Sequence, residues 1–92
     1  MQTGADLIKE ERTRQIEKEG WTAKHDSTHE PGELVQAAVC YALHDKIENP
    51  PFEDTYQFPW GKEWWKPSDY IRNLVKAGAL IAAEIDRHNA EL

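Results

Sequence analysis

The apolar residues of this chain fall into three segments with helical spacing, and the most apolar segment lies near the middle. From Glu33 to Leu43 the sequence reads ELVQAAVCYAL, which is nine apolar residues interrupted once, by Gln36. A helix that is apolar on every side is normally buried. We therefore predict a central helix over residues 32–46, around which the rest of the chain packs.

Two further segments predict helices on either side of the central one. Residues 6–19 are mostly good helix formers and are followed by Gly20, a typical residue at a helix C-terminus. Residues 68–89 follow Pro67 and carry an apolar stripe at helical spacing. The stripe consists of Ile71, Leu74, Val75, Gly78, Ile81, Ala82 and Ile85. Because Gly78 is part of this stripe, it predicts a close crossing with another helix.

The segment between the second and third helices is rich in aromatic residues. Residues 47–66 hold six of the nine aromatic residues and three of the prolines. The prolines exclude a regular helix, and the tryptophans argue against a disordered linker. We predict one all-α domain over residues 1–92, with three principal helices and a long aromatic- and proline-rich loop packed over them. Its thin core and apolar last helix predict a homodimer.

Charge and cysteine content narrow the function classes. The chain has 17 acidic residues against 11 Lys and Arg, a formal charge of −6, which argues against general nucleic-acid binding. A small anionic ligand held by a few local cations is compatible with that balance. The single cysteine, Cys40, allows no intrachain disulfide and fits a buried apolar site in a reducing compartment. Since neither a signal-peptide pattern nor a membrane span is visible, we expect a soluble cytoplasmic protein.

One polar cluster has the residue types of a metal or acid-base site. His25, Asp26, His29 and Glu33 form the pattern H-D-x-x-H-x-x-x-E, whose members would share one face of a helix and would suit zinc or iron. The Pro31 and Gly32 pair interrupts such a helix, so a network that braces a loop is the favoured interpretation, and we predict no metal. An acid-base role for His25 with Asp26 stays open.

A second set of acids suggests magnesium chemistry. The candidates are Glu10, Glu11, Glu33, Glu84 and Asp86. Helical nucleotide pyrophosphatases of the MazG type carry E-E-x-x-E followed by E-x-x-D. Here Thr13 and Arg14 stand where the third acid would fall, and Glu84 is separated from Asp86 by one residue. A magnesium-dependent hydrolase of this type is therefore an alternative that depends on size and helicity alone.

Aromatic and basic residues meet before the last helix. Trp64, Trp65 and Lys66 directly precede a helix that carries Arg72 and Lys76. An aromatic plane, cations and free N–H groups could cradle a base and a phosphate. The competing interpretation is that the tryptophans close a thin core and the cations are solvated. If a cleft forms between residues 21–33 and the last helix, its ligand-binding residues are Arg12, Trp21, His25, Asp26, His29, Glu33, Trp64, Trp65, Lys66, Arg72 and Lys76.

The chain resembles a family of small proteins encoded by tailed phages and prophages. The resemblance rests on ERTRQIEKEGWTAKHDSTHEPGELVQAAVCYAL, FPWGKEWWKP and DYIRNLVKAGALIAAEIDR, which cover nearly the whole chain. It implies a host-cell cytoplasm and no particular activity. A fainter resemblance is to ryanodine-receptor repeat domains, which are associated with adenine nucleotides. It is carried by Gly20, Trp21, Thr22, Asp26 and Pro31, while Ala23 and Lys24 replace the usual tyrosine and glycine.

Since no catalytic dyad and no complete metal motif is evident, we predict a binding protein and lean away from an enzyme. The expected partner is a nucleotide-like or other small anionic ligand, which in a phage setting could be a host signal to be sequestered. No cofactor is expected, and Mg²⁺ would be needed only by the hydrolase alternative through Glu10, Glu11 and Glu33. A module that contacts a host protein is the second alternative.

Overall fold

The computed structural model describes residues 1–19, 32–46 and 58–90, and its regular elements in these ranges are all helices. In chain order they are α1 (Gly4–Glu19), α2 (Glu33–Ala42), a short 3₁₀ helix (Lys62–Trp64) and α3 (Tyr70–Ala90). The predicted all-α class is confirmed. Among the described helices, none is both long enough and apolar enough to cross a membrane.

The last helix, α3, is the element against which the other two pack. Both α1 and α2 contact α3, whereas no Cα atom of α1 comes within 8 Å of one in α2. The apolar core includes Leu34, Ala37, Ala38, Cys40, Tyr41, Phe58, Ala77, Leu80 and Ala83. Because α1 and α2 both pack on α3 while their backbones stay more than 8 Å apart, space is left between them.

Helix α2 is shorter and less buried than predicted. It ends at Ala42, and residues 43–46 form a turn in which the Lys46 amide donates to the carbonyl oxygen of Leu43. Leu34 and Cys40 are fully buried, but Val35 is 42% exposed. The prediction that this helix is buried on every side was therefore wrong, since it buries one side against α3.

Side-chain caps explain where the other two helices begin. The Thr3 hydroxyl accepts from the Asp6 amide at 3.1 Å, and the Asp6 carboxylate accepts from the Thr3 amide at 3.0 Å. This reciprocal pair is a capping box, so α1 begins at Gly4 and not at Asp6. At α3, the Asp69 carboxylate accepts from the Arg72 amide at 2.9 Å, so the helix begins two residues later than predicted.

The described part of the aromatic loop packs on the core as predicted. Phe58 is buried, and Trp60 and Trp65 lie against the core cluster. The Trp65 ring centroid is 4.7 Å from that of Tyr41 and 5.0 Å from that of Phe58. Residues 47–57 lie outside the described part of the chain. The segment 58–66 thus packs along α2, from Glu33 to Tyr41, and is called the aromatic segment below.

The crossing of α1 over α3 depends on Gly78. A Cβ atom added at Gly78 would lie 2.5 Å from Cδ1 and 2.8 Å from Cγ1 of Ile8, both far inside contact distance. The predicted close crossing is confirmed. Glycine costs about 1 kcal/mol of helix propensity relative to alanine, so this position trades helix stability for a closer approach of α1.

We predict strong coupling between Gly78 and Ile8 in the free energy of unfolding. Gly78→Ala should destabilise the parent by about 1 kcal/mol, because an overpacking cost of about 1–3 kcal/mol exceeds the gain in propensity. In an Ile8→Ala background the same substitution should stabilise by about 1 kcal/mol, as the clash is gone. Urea unfolding of the four proteins gives the coupling. Gly4→Ala, which meets nothing within 4 Å, is the matched control.

Candidate functional site

A pocket of about 70 Å³ lies where α1, α2, the aromatic segment and α3 meet. It is lined by Glu11, Arg14, Gln15, Tyr41, Trp60, Trp64, Lys66, Lys76 and Leu80, and is called the basic pocket below. A water molecule needs about 10–15 Å³ measured in this way, so the pocket has room for roughly five water-sized groups. That is the size of a phosphate or carboxylate group and much smaller than a whole nucleotide.

A buried carboxylate forms one wall of the basic pocket. The Glu11 side chain is 1% exposed, and it accepts two hydrogen bonds of 2.9 Å from Nε and Nη2 of Arg14. Arg72 of α3 also donates to Glu11. Burial alone raises the pKa of Glu11, but the hydrogen bonds and charges of Arg14 and Arg72 outweigh it, so the net pKa is lowered. Glu11 is therefore an anion at neutral pH and joins α1 to α3.

Next to this carboxylate, Gln15 has an unused acceptor. Gln15 is 2% exposed, and its Nε2 donates to Glu11 Oε2 at 3.3 Å. Its Oε1 is buried and has no hydrogen-bond donor in the described part of the chain. Leaving a buried polar atom unpaired costs about 1–3 kcal/mol. Gln15 therefore carries an acceptor whose hydrogen-bonding capacity the described residues leave unfilled.

Cations outnumber acids around the pocket. The Lys76 ammonium donates to the Lys66 carbonyl oxygen and lies 5.6 Å from the centre of the Tyr41 ring. Burial lowers the pKa of Lys76, and the neighbouring charges of Arg72, Arg14 and Lys66 lower it further, against the opposing effect of Glu11. Three cations and the Glu11 carboxylate therefore lie near the Lys76 ammonium.

The Tyr41 hydroxyl fixes the wall formed by the aromatic segment. It donates to the Trp64 carbonyl oxygen at 3.2 Å and accepts from the Lys66 amide at 3.1 Å. Burial, as the largest effect, raises the pKa of Tyr41, so the hydroxyl keeps its proton at neutral pH. These bonds hold the Trp64 and Lys66 backbone to α2, so the two side chains extend from an anchored segment. The Trp64 residue is 45% exposed.

The structure brings part of the predicted site together. Trp64, Lys66 and Lys76 line the basic pocket. Arg72 adjoins it through the hydrogen bond to Glu11. Trp65 instead packs on the Tyr41 ring, as the core interpretation of the tryptophans predicted.

The other residues that were predicted to bind a ligand either make structural contacts or lie outside the described part of the chain. Glu33 accepts from the Trp60 indole at 3.0 Å, which joins the start of α2 to the aromatic segment. Arg12 is 7% exposed and pairs with Asp86 at 3.3 Å, away from the pocket-lining residues. The remaining predicted residues, Trp21, His25, Asp26 and His29, lie outside the described residues.

Sequence reasoning did not select Glu11, Gln15 and Tyr41 for this site. The spacing of Glu11 and Gln15 could have indicated that they lie together. Residues three and four apart on a helix share a face, as Glu11, Arg14 and Gln15 do. Nothing in the local sequence marked Tyr41, since its role depends on backbone atoms more than twenty positions away.

The acids considered for magnesium are dispersed. In residues 1–19, 32–46 and 58–90, no three His, Cys, Asp or Glu side chains come together as a group that could hold a metal ion. Glu11 is paired with arginines, Glu33 accepts from Trp60, and Asp86 pairs with Arg12. Glu84 accepts from Arg87 at 2.7–3.2 Å, and this hydrogen bond lowers the pKa of Glu84.

Comparison with protein-family models, with curated protein sequences and with solved structures found no match. The resemblance to a phage protein family therefore stays a prediction from the sequence. The function must be argued from the pocket itself.

We predict that acid destabilises the fold through Glu11. Its folded pKa is lowered, so its contribution is present above the ordinary glutamate value of 4.5 and is lost as the pH falls through the folded pKa. Glu11→Gln should lower the free energy of unfolding at neutral pH by about 1 kcal/mol, a modest figure because Arg14 and Arg72 are partly exposed. Below pH 4.5 the difference from the parent should shrink.

Urea unfolding at a series of pH values measures this effect. Glu17→Gln is the matched control, since it removes an exposed carboxylate from the same helix. A constant difference between Glu11→Gln and the parent at all pH values would contradict the role of the ionised carboxylate.

Proposed function

We propose that this chain binds a small ligand through a phosphate-like or carboxylate-like group seated in the basic pocket. The observation that carries the proposal is that Lys66 and Lys76 line one small pocket, beside the Glu11–Arg14 ion pair, in a chain whose formal charge is −6. Because the chain as a whole is acidic, this cluster of cations does not belong to a generally basic surface. It therefore favours a site for a specific anion.

The pocket is too small for a whole nucleotide, so the proposed ligand consists of an anionic group inside it and a remainder outside. An anionic group fills the 70 Å³ between the helices, and any larger remainder extends outside. Trp64 lines the pocket and is 45% exposed, so a planar remainder would stack on its indole. Stacking of a base contributes about 1–3 kcal/mol, so a nucleotide-like ligand should bind about 5- to 150-fold more tightly than a bare anion of about millimolar affinity.

The biological setting of this proposal follows the resemblance stated above. We place the protein in the cytoplasm of a phage host, where a site of this kind would sequester a nucleotide-like signal. The hydrolase alternative requires Glu10, Glu11 and Glu33 to act on one magnesium ion.

We predict that adenosine monophosphate raises the melting temperature and that adenosine does not, because only the former carries the anion. Lys66→Met should weaken binding about tenfold, as one charge-assisted contact is lost while the backbone bonds of residue 66 to Tyr41 persist. Calorimetric titration measures both. Lys18→Met is the matched control, since it removes an exposed cation from the last turn of α1.

Equal responses to the nucleotide and the nucleoside would contradict the proposal, as would an unchanged affinity in Lys66→Met. The same samples, incubated with magnesium and assayed for released phosphate or pyrophosphate, test the hydrolase alternative. Turnover that Glu33→Gln abolishes would replace binding by catalysis as the function.

An exposed apolar stripe on α3 favours a second proposal, self-association. Ile71, Ile81 and Ile85 are 57%, 48% and 56% exposed, and their helical spacing puts them on one side of α3. Three isoleucines on one side of a helix in so small a chain are more than scattered surface apolar residues. We propose that a second copy covers them in a homodimer.

Sedimentation at tens of micromolar should therefore show a dimer for the parent and a monomer for Ile81→Glu, since a charge cannot be buried unpaired in an apolar interface. Val35→Glu is the matched control because Val35 is similarly exposed but belongs to α2. A parent that sediments as a monomer would remove the dimer and leave the stripe to a different protein partner.

A further inference from the structure

The charged groups of the basic pocket come from three parts of the fold. Helix α1 supplies Glu11 and Arg14, α3 supplies Arg72 and Lys76, and the aromatic segment supplies Lys66. After burial, the charges of the other three cations lower the pKa of Lys76, and only the charge of Glu11 opposes them. Helix α2 faces Lys76 with the ring of Tyr41, which keeps its proton at neutral pH. Positive charges thus exceed negative ones among these groups.

The arginines and the lysines differ in what they already bind. The Glu11 carboxylate accepts from Nε and Nη2 of Arg14 at 2.9 Å and also from Arg72. Among the described residues, neither Lys66 nor Lys76 forms a salt bridge with a carboxylate. The Lys76 ammonium donates to the Lys66 carbonyl oxygen, which is a neutral acceptor. Two lysines without a counter-charge therefore line the pocket, beside two arginines that share one.

A ligand that matches two such cations carries two negative charges on one compact group. The terminal phosphate of a phosphate monoester has this form at neutral pH, because its second pKa is about 6. A carboxylate, a phosphodiester and a sulfate monoester each carry a single charge. The pocket has room for roughly five water-sized groups, which suits a phosphate or a sulfate equally well. Charge, and not size, is thus the property by which the pocket could separate these two groups.

We propose that the basic pocket selects the dianionic terminal phosphate of a phosphate monoester over a monoanionic group of the same size. Lys66 and Lys76 together neutralise the two charges of the phosphate, whereas a monoanion leaves one of these cations without a counter-charge. This inference rests on the proposed anion site and names the chemical class of its ligand. It makes phosphodiesters, cyclic nucleotides included, the weaker ligands.

The test compares adenosine monophosphate with adenosine 5′-sulfate on the parent protein at matched ionic strength. The two ligands share the base, the sugar and a tetrahedral end group, but at about pH 7.5 the phosphate is a dianion and the sulfate a monoanion. Calorimetric titration should show about tenfold tighter binding of the phosphate. The factor is modest because the second charge meets lysines that are only partly buried or exposed.

A lower pH removes the second charge without changing the ligand. At about pH 5 roughly nine-tenths of the monophosphate is a monoanion, since its second pKa is about 6, so the ratio should fall to about twofold. Glu11 stays largely ionised at this pH because its pKa is lowered below 4.5. Other groups of the protein that gain protons act on both ligands, so the ratio of the two affinities is the quantity to compare.

A double variant assigns the preference to the two lysines. Lys66→Met with Lys76→Met removes both cations and keeps two long side chains, so the ratio at about pH 7.5 should fall to about one. The matched control is Lys9→Met with Lys18→Met, which removes two exposed cations from α1 and should keep the parent ratio. Circular dichroism of each variant checks its fold, and the comparison of ligands and pH values on the parent stands without the variants.

The outcomes separate this inference from the proposed function. Equal affinity of the parent for both ligands at about pH 7.5 would overturn the inference and leave anion binding intact. A preference that is unchanged at about pH 5, or that persists in the folded double variant, would also overturn it, because the second charge or the lysines would then not be its source. Failure of both ligands to bind would overturn the inference and the anion site together.

Discussion

The buried carboxylate of Glu11 is the constraint on which the arrangement of α1 and α3 depends. An ionised group that is 1% exposed must be neutralised and hydrogen-bonded, and here Arg14 of the same helix and Arg72 of α3 do so. The arginine from α3 fixes which side of α1 faces the pocket, and the crossing at Gly78 fixes how closely the helices approach. Because the arginines are occupied by Glu11, the lysines at positions 66 and 76 supply most of the charge available to a ligand.

The small core explains why the pocket exists. Half of the core-cluster residues that α2 and α3 supply are alanines, and among the described residues the largest fully buried side chains are Leu34, Asn73 and Cys40. Small residues let these two helices pack closely, but they supply little bulk to fill the space beside α1. The Tyr41 ring and the aromatic segment partly close that space from one side. The pocket that remains combines aromatic and aliphatic side chains with a few charged groups, a mixture that is common in ligand sites.

The fold was more predictable than the site. Helical periodicity revealed α1, α2 and α3, and the apolar stripe around Gly78 revealed a close helix crossing. The apolar pattern did not predict the burial of α2 correctly. Its nine apolar residues indicated burial on all sides, but Val35 is 42% exposed. The site depends on contacts between distant residues, such as Glu11 with Arg72 and Tyr41 with Lys66, and no local pattern encodes those. Trp64, Lys66 and Lys76 were predicted because they stand close together in the sequence. The histidine cluster lies outside the described residues, and its role stays a prediction.

The proposed anion site lies in a chain whose formal charge is −6, so the proposal must explain how the net charge affects anion binding. At long range the acidic surface repels anions, but at about 0.1 M salt charges more than about 10 Å apart are largely screened. Contacts of about 3 Å inside a partly buried pocket are screened much less. In the proposed site, affinity at physiological salt would therefore be governed by the few groups that touch the ligand, and not by the net charge.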